Sequence, residues 1–105
     1  MIIIRNNLIP VKGYCAMTVW PFIFVRKGYA LSENVLLHEQ IHGRQQLEML
    51  VVPFFLWYFV EWLCRRAFGS GNAYFNISFE QESYDNEFTP DYLEHRRLWA
   101  WTKYL

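Results

Sequence analysis

The sequence predicts an α+β fold: a small N-terminal β-sheet packed on a long helix, then an apolar helix and two C-terminal helices. Three observations predict it. Residues 2–4 and 14–26 are rich in β-branched and aromatic side chains and are punctuated by Asn6-Asn7, Lys12-Gly13 and Lys27-Gly28, the pattern of short strands between turns. From Ser32 the periodicity becomes helical, and this stretch carries His38-Glu39-Gln40-Ile41-His42. Residues 49–60 then form an unbroken apolar run. With 105 residues, 53% of them hydrophobic and 20% aromatic, the chain is expected to form one domain, 1–105, with a small tight core.

In order along the chain, strands are expected at residues 2–4, around Tyr14–Val19 and at Phe22–Arg26, with a break at Pro21. Ser32 is an expected N-cap, and Glu33 beside it suits the positive end of a helix running from about Glu33 to Val52. Leu36, Gly43, Leu47 and Leu50, with Ile41 alongside, read as the core stripe of that helix. His38, Glu39, His42, Gln45 and Gln46 lie on the opposite, polar side, where Gln45 and Gln46 are expected either to orient ligands or line a substrate groove, or to form a solvated face. Pro53 is expected to kink the next segment or to open a new helix at its first turn. Gly69-Ser70-Gly71-Asn72 reads as a linker. Ser78 and Gln81 have the spacing of a capping box that would start a helix. Thr89 as N-cap and Pro90 as first residue would open a last helix to about Tyr104, packed through Leu93, Arg97, Ala100, Trp101 and Tyr104.

The motif H-E-x-x-H carries the chemistry. Residues four apart on a helix lie one turn apart, so His38 and His42 project toward one point, where two imidazoles can hold zinc at about 2.0–2.1 Å. Glu39, roughly 100° around the helix, stands beside such an ion and can take a proton from its water. A third ligand is needed. The metzincin extension requires glycine at position 45 and histidine at 48, where this chain has Gln45 and Glu48, so that arrangement does not apply.

The segment Asn76–Glu87, about 40 residues downstream, has Glu80 in the first turn of the expected helix, with Ser83 and Tyr84 on the same face. This resembles the glutamate-bearing helix of gluzincins, zinc peptidases with His, His and Glu ligands. The likeness covers residues 32–52 and 76–88, and the whole chain is also similar to small bacterial HExxH proteins of unknown function. The resemblance implies a zincin-like fold, a zinc ion held by His38, His42 and Glu80, and peptide hydrolysis with Glu39 as general base. Glu82 is the rival third ligand. Tyr84 falls where such families often place an acid. It can donate a hydrogen bond to a histidine or to a developing oxyanion but supplies no charge, leaving Glu82, Asp85 and Glu87 as substitutes for that acid. Tyr84, His95, Arg96 and Arg97 are the candidate oxyanion donors, and a domain this small leaves little room for a deep specificity pocket.

Ten acidic and ten basic residues balance, and the short pairs Arg26-Lys27, Arg65-Arg66 and Arg96-Arg97 form no basic stripe, so nucleic acid is not an expected partner. A peptide or protein substrate is. Cys15 and Cys64 have neither metal-binding spacing nor disulfide density and read as apolar core thiols. Met1–Ile4 are broken at once by Arg5-Asn6-Asn7, so no secretory signal is expected and cytoplasmic residence follows. Residues 49–64 leave three alternatives: a buried helix, a membrane-surface segment, or a span that is short for the ~20 residues a bilayer wants. Alternatives to the enzyme are a catalytically inactive zinc-binding or membrane-associated interaction module, and a small helical interaction protein. Exposed aromatics in 54–62 would favour a partner, a lipid surface or self-association into a homo-oligomer.

Overall fold

Strand-forming residues at the N-terminus build a three-stranded sheet in the computed structural model, which describes residues 2–8, 14–69 and 72–105. The expected turn at Lys12-Gly13 and the middle of the Gly69–Asn72 linker lie outside the described residues. Strands β1 (Ile2–Asn6), β2 (Ala16–Val19) and β3 (Phe22–Arg26) are ordered β1-β3-β2. Central β3 is parallel to β1 and antiparallel to β2. Ile23 and Val25 alternate onto one face of β3 and are wholly buried. A turn at Trp20-Pro21, whose peptide bond is cis, joins β2 to β3.

Helix α1 (Glu33–Met49) starts after Ser32 as expected, although the Ser32 hydroxyl bonds Asn34 (2.8 Å) rather than capping a backbone N–H. It stops at Leu50, whose φ of 63° breaks the helix short of the expected Val52. Helix α2 (Val51–Phe68) begins immediately, bent by 109° from α1. Pro53 sits in the first turn of α2, where no intrahelical partner exists for the N–H it lacks.

Of the expected core stripe of α1, Ile41 and Gly43 are buried, but the rest of the buried face is the side expected to be polar. Leu47 and Leu50 are exposed (47% and 71%), whereas His38, Glu39, His42, Gln45 and Gln46 are buried with Leu37, Ile41 and Gly43. Polar side chains can occupy that inner face because each has a partner: β2 on one side, and α4 (Ser78–Asn86) on the other.

Between α2 and α4 lies α3 (Ala73–Asn76), a single turn capped by Asn72, whose Oδ1 accepts from the Tyr74 N–H (2.9 Å). The Ser78/Gln81 capping box does not form. Ser78 is the first helical residue, and Gln81 donates to the Asn76 carbonyl instead. The start of α4 is satisfied from α2: buried Glu61 accepts from the Ser78 N–H (2.9 Å) and from the Ser78 hydroxyl. A carboxylate at that helix end also complements its dipole. Phe54, Ile77, Phe79 and Trp101 form the hydrophobic cluster these elements share.

The expected last helix from Thr89 to Tyr104 is divided. Only α5 (Tyr92–His95) and a closing 3₁₀ turn (Ala100–Tyr104) are helical, separated by extended Arg96 and left-handed Trp99. The cause is Arg96, which turns inward between Glu48 and Glu82 instead of continuing the helix. Cys15 is half-buried and Cys64 is exposed, so Cys64 is not a core thiol. Position 64 lies past Glu61, the last buried residue of α2, where the helix runs out beyond the core.

Candidate metal centre

Helix α1 delivers His38 and His42 to the same point, and α4 brings Glu80 against them across the core. The two Nε2 atoms are 3.2 Å apart. Glu80 Oε1 lies 3.1 Å from His38 Nε2 and 3.0 Å from His42 Nε2. Three ligand atoms thus form a nearly equilateral triangle among side chains that are all buried, an arrangement able to hold a metal ion.

Each ligand is fixed from behind. His42 Nδ1 meets Gln45 Oε1 at 2.8 Å. The Gln45 amide has one orientation, since its Nε2 donates to the Phe79 carbonyl (3.1 Å) and to Glu82 Oε1 (2.9 Å). Its oxygen therefore accepts from His42, which puts the proton on Nδ1 and turns the Nε2 lone pair toward the triangle. Glu87 Oε2 lies 2.7 Å from His38 Nδ1 and sets the same tautomer there. Of the three acids expected as substitutes near Tyr84, Glu87 is the one that meets a ligand imidazole. The second oxygen of Glu80 accepts from the Tyr58 hydroxyl (2.7 Å).

With both Nδ1 atoms protonated, two nitrogen lone pairs and a carboxylate face one another at hydrogen-bond distance, and only a cation or shared protons reconcile them. The electrostatics point the same way. Burial opposes charge on His42, yet the adjoining Glu80 carboxylate raises its pKa to about 9. Burial likewise opposes charge on Glu80, and the two histidines hold its carboxyl well below the usual range. This is a site built for positive charge.

Glu39 stands next to the triangle, held by the Thr18 hydroxyl, which donates to Glu39 Oε1 at 2.7 Å. Glu39, His42 and Glu80 open onto a cavity of about 380 Å³. Its remaining wall is mostly apolar: Ala16 and Met17 of β2, Phe54, Phe55, Tyr58 and Trp62 of α2, and Tyr74 of α3. The expectation of little room for a pocket is therefore corrected, because the sharp α1–α2 corner swings an aromatic wall over the site. The Tyr84 ring packs edge-on against His38, with centroids 4.5 Å apart. Burial and the neighbouring carboxylates raise the Tyr84 pKa to about 12, so its hydroxyl keeps its proton at neutral pH.

Other expected site residues lie elsewhere. Glu82 is not a ligand: it pairs with Arg96 (Nε–Oε2 2.5 Å) and accepts from Tyr92 (2.6 Å) and Gln45. Arg96 spans Glu82 and Glu48 in a buried cluster and is not free to face an oxyanion. His95 is exposed and pairs with Asp91 (3.2 Å), and Arg97 is exposed as well. Gln45 and Gln46 are not on a solvated face. Gln46 bridges the Thr18 carbonyl (2.8 Å) and the Trp20 N–H (2.6 Å), as a neighbouring strand's peptide would. Tyr58, Tyr74 and Thr18 were not legible as site residues, since nothing in their local spacing ties them to His38 or Glu39. Comparison of the chain with family models, with curated proteins and with solved structures found no match.

Proposed function

We propose that this protein is a zinc-dependent hydrolase, with peptides as the substrate class, built on a zincin-like, gluzincin-type arrangement. The observation that carries this reading is the triangle of His38 Nε2, His42 Nε2 and Glu80 Oε1, with sides of 3.0–3.2 Å. Tetrahedral zinc with bonds of 2.0–2.1 Å sets its ligand atoms roughly 3.3–3.4 Å apart, close to that spacing. His, His and Glu with a fourth position left open is the donor set of catalytic rather than structural zinc. Bound there, zinc supplies a water of pKa near ~7 and a Lewis acid for a carbonyl oxygen.

The chain's own residues supply the rest. Glu39, oriented by Thr18, takes the proton from the attacking water and passes it to the leaving amine. Tyr84, protonated beside His38, is the donor to the oxyanion, and the Tyr74 ring packs against it, with centroids 6.5 Å apart. Tyr58, Gln45 and Glu87 hold the three ligands in position.

The substrate path is the edge of β2. The Cys15 carbonyl is turned to β3, where it accepts from Arg26, so by alternation Ala16 and Thr18 direct their main-chain groups off the sheet. The Thr18 carbonyl is taken by Gln46, but Ala16, which also lines the cavity, has no such partner among the described residues. An extended peptide can add a strand there, with a side chain in the aromatic cavity. Zinc peptidases of the kind the sequence resembles pair substrate with the free edge of the strand directly before the metal helix. That strand is β3, which is central and has no free edge.

The test is Glu39→Gln in the zinc-loaded protein, assayed against a mixed peptide library. The reading requires a loss of cleavage of about 10²–10⁴-fold with zinc content and melting temperature kept. Equal cleavage by E39Q, or none by the zinc-loaded wild type, removes the enzyme assignment.

A further inference from the structure

Helix α2 has two apolar faces, and only one is used. Phe54, Tyr58 and Trp62 turn inward to the core and the cavity. Val52, Leu56, Phe59, Val60 and Leu63, spaced three and four apart, form the opposite stripe and are 69%, 64%, 58%, 56% and 45% exposed. On a water-facing helix that stripe would carry charge. Leu47 and Leu50 carry the patch around the α1–α2 corner.

Charge decides what covers it. Between Arg44 and Phe68 the acidic residues are Glu48 and Glu61, and both are turned inward, Glu48 onto Arg96 and Glu61 onto Ser78. Arg44 and Arg66 are exposed, Arg65 is half-exposed and pairs with inward-facing Glu61 (3.9 Å), and the Arg66 guanidinium lies 5.7 Å from the Trp62 ring centre. Every outward charge between Arg44 and Phe68 is therefore positive. A second copy of the chain is a poor complement. Antiparallel pairing of α2 would set Arg66 against the partner's helix N-terminus, which has no acidic residue in its first turn. Parallel pairing would set arginine against arginine. No single helix among the described residues is long and apolar enough to cross a membrane.

We infer that α2 docks flat on the surface of an anionic lipid bilayer, its outer stripe in the acyl boundary and Arg44 and Arg66 at the phosphates. An apolar helix face flanked by arginine and tryptophan is suited to that depth. The inference is independent of the zinc reading.

Vesicle flotation of the full chain tests it, with vesicles of mixed phosphatidylserine and phosphatidylcholine compared with phosphatidylcholine alone. The protein should float with the anionic vesicles and bind the neutral ones much less. Leu56→Glu/Val60→Glu, both at exposed positions, should abolish flotation while the melting temperature holds. Arg44→Gln/Arg66→Gln should weaken binding roughly tenfold or more, and added salt should weaken the wild type. Absence of flotation by the wild type, or flotation unchanged by L56E/V60E, overturns the inference. So does a wild-type dimer, seen by sedimentation without lipid, that L56E/V60E dissociates, because the face then belongs to a second copy.

Discussion

The Gln45 carboxamide fixes the proton of His42: its oxygen accepts from Nδ1 at 2.8 Å because its nitrogen is already committed to Phe79 and Glu82. A glutamine three residues after the second histidine of the motif thus selects the tautomer that leaves Nε2 free for a metal. Gln45→Met keeps volume and removes both functions. Its zinc affinity, measured by competition with a chromophoric chelator, should fall about 10–100-fold. The fold should survive, with a stability loss of about 1–3 kcal/mol because the Phe79 carbonyl and Glu82 each lose a buried donor. Unchanged affinity would mean that His42 needs no orienting partner.

Behind Gln45 stands the buried Glu48–Arg96–Glu82 cluster, the arginine bidentate to Glu48 at 2.9 and 3.0 Å. Arg96→Met leaves two carboxylates buried without their cation and should destabilise the protein by about 3–5 kcal/mol in urea unfolding. A loss below about 1 kcal/mol, the scale of a surface pair, would show that the cluster is solvated in solution.

Acid should act on the same cluster. Burial opposes charge on Glu82, but its hydrogen bonds from Arg96, Gln45 and Tyr92 prevail and lower its pKa from 4.5. A lowered folded-state pKa stabilises the fold above the unfolded value and loses that contribution as pH falls through the folded one. The melting temperature of the wild type should therefore drop below about pH 4.5, and Glu82→Gln should start lower and show a shallower acid limb. Parallel limbs in the two proteins would place the titrating group elsewhere.

Tyr58 holds the second oxygen of Glu80 at 2.7 Å. Tyr58→Phe removes that hydrogen bond while keeping the ring against Phe79, with centroids 6.2 Å apart. Zinc dissociation should quicken by about tenfold or more, read by transfer to a chelator, with little change in the circular dichroism spectrum. A rate equal to the wild type would leave Glu80 without need of this support.

Much of this was readable from short-range pattern. The strand Phe22–Arg26, the start of α1 at Glu33 and the role of Pro53 all follow from local periodicity and turn chemistry, which act within a few residues. His38, His42 and Glu80 were readable because one helical turn fixes the histidine pair and a family likeness supplied the glutamate. What escaped depends on contacts far apart in the chain. Hydropathy assigns glutamine and glutamate to water and so places the polar side of α1 outward. Thr18, Trp20, Phe79 and Glu82 satisfy those groups inside, and all lie 21 or more residues away. The capping box lost to Glu61, 17 residues upstream of Ser78. Arg96 broke the last helix because two carboxylates 48 and 14 residues distant bind it better than continued helix would.

Zinc content tests the central claim most directly. Elemental analysis of the wild type and of Glu80→Ala, each purified without added metal and again after zinc is offered and excess removed, should give about one zinc ion per chain in the wild type and far less in the variant. The wild type should also melt at a higher temperature with zinc than after chelation, because the ion binds the folded state. A wild type that takes up no zinc when it is offered, or an E80A variant that holds it equally well, would contradict the His38–His42–Glu80 centre.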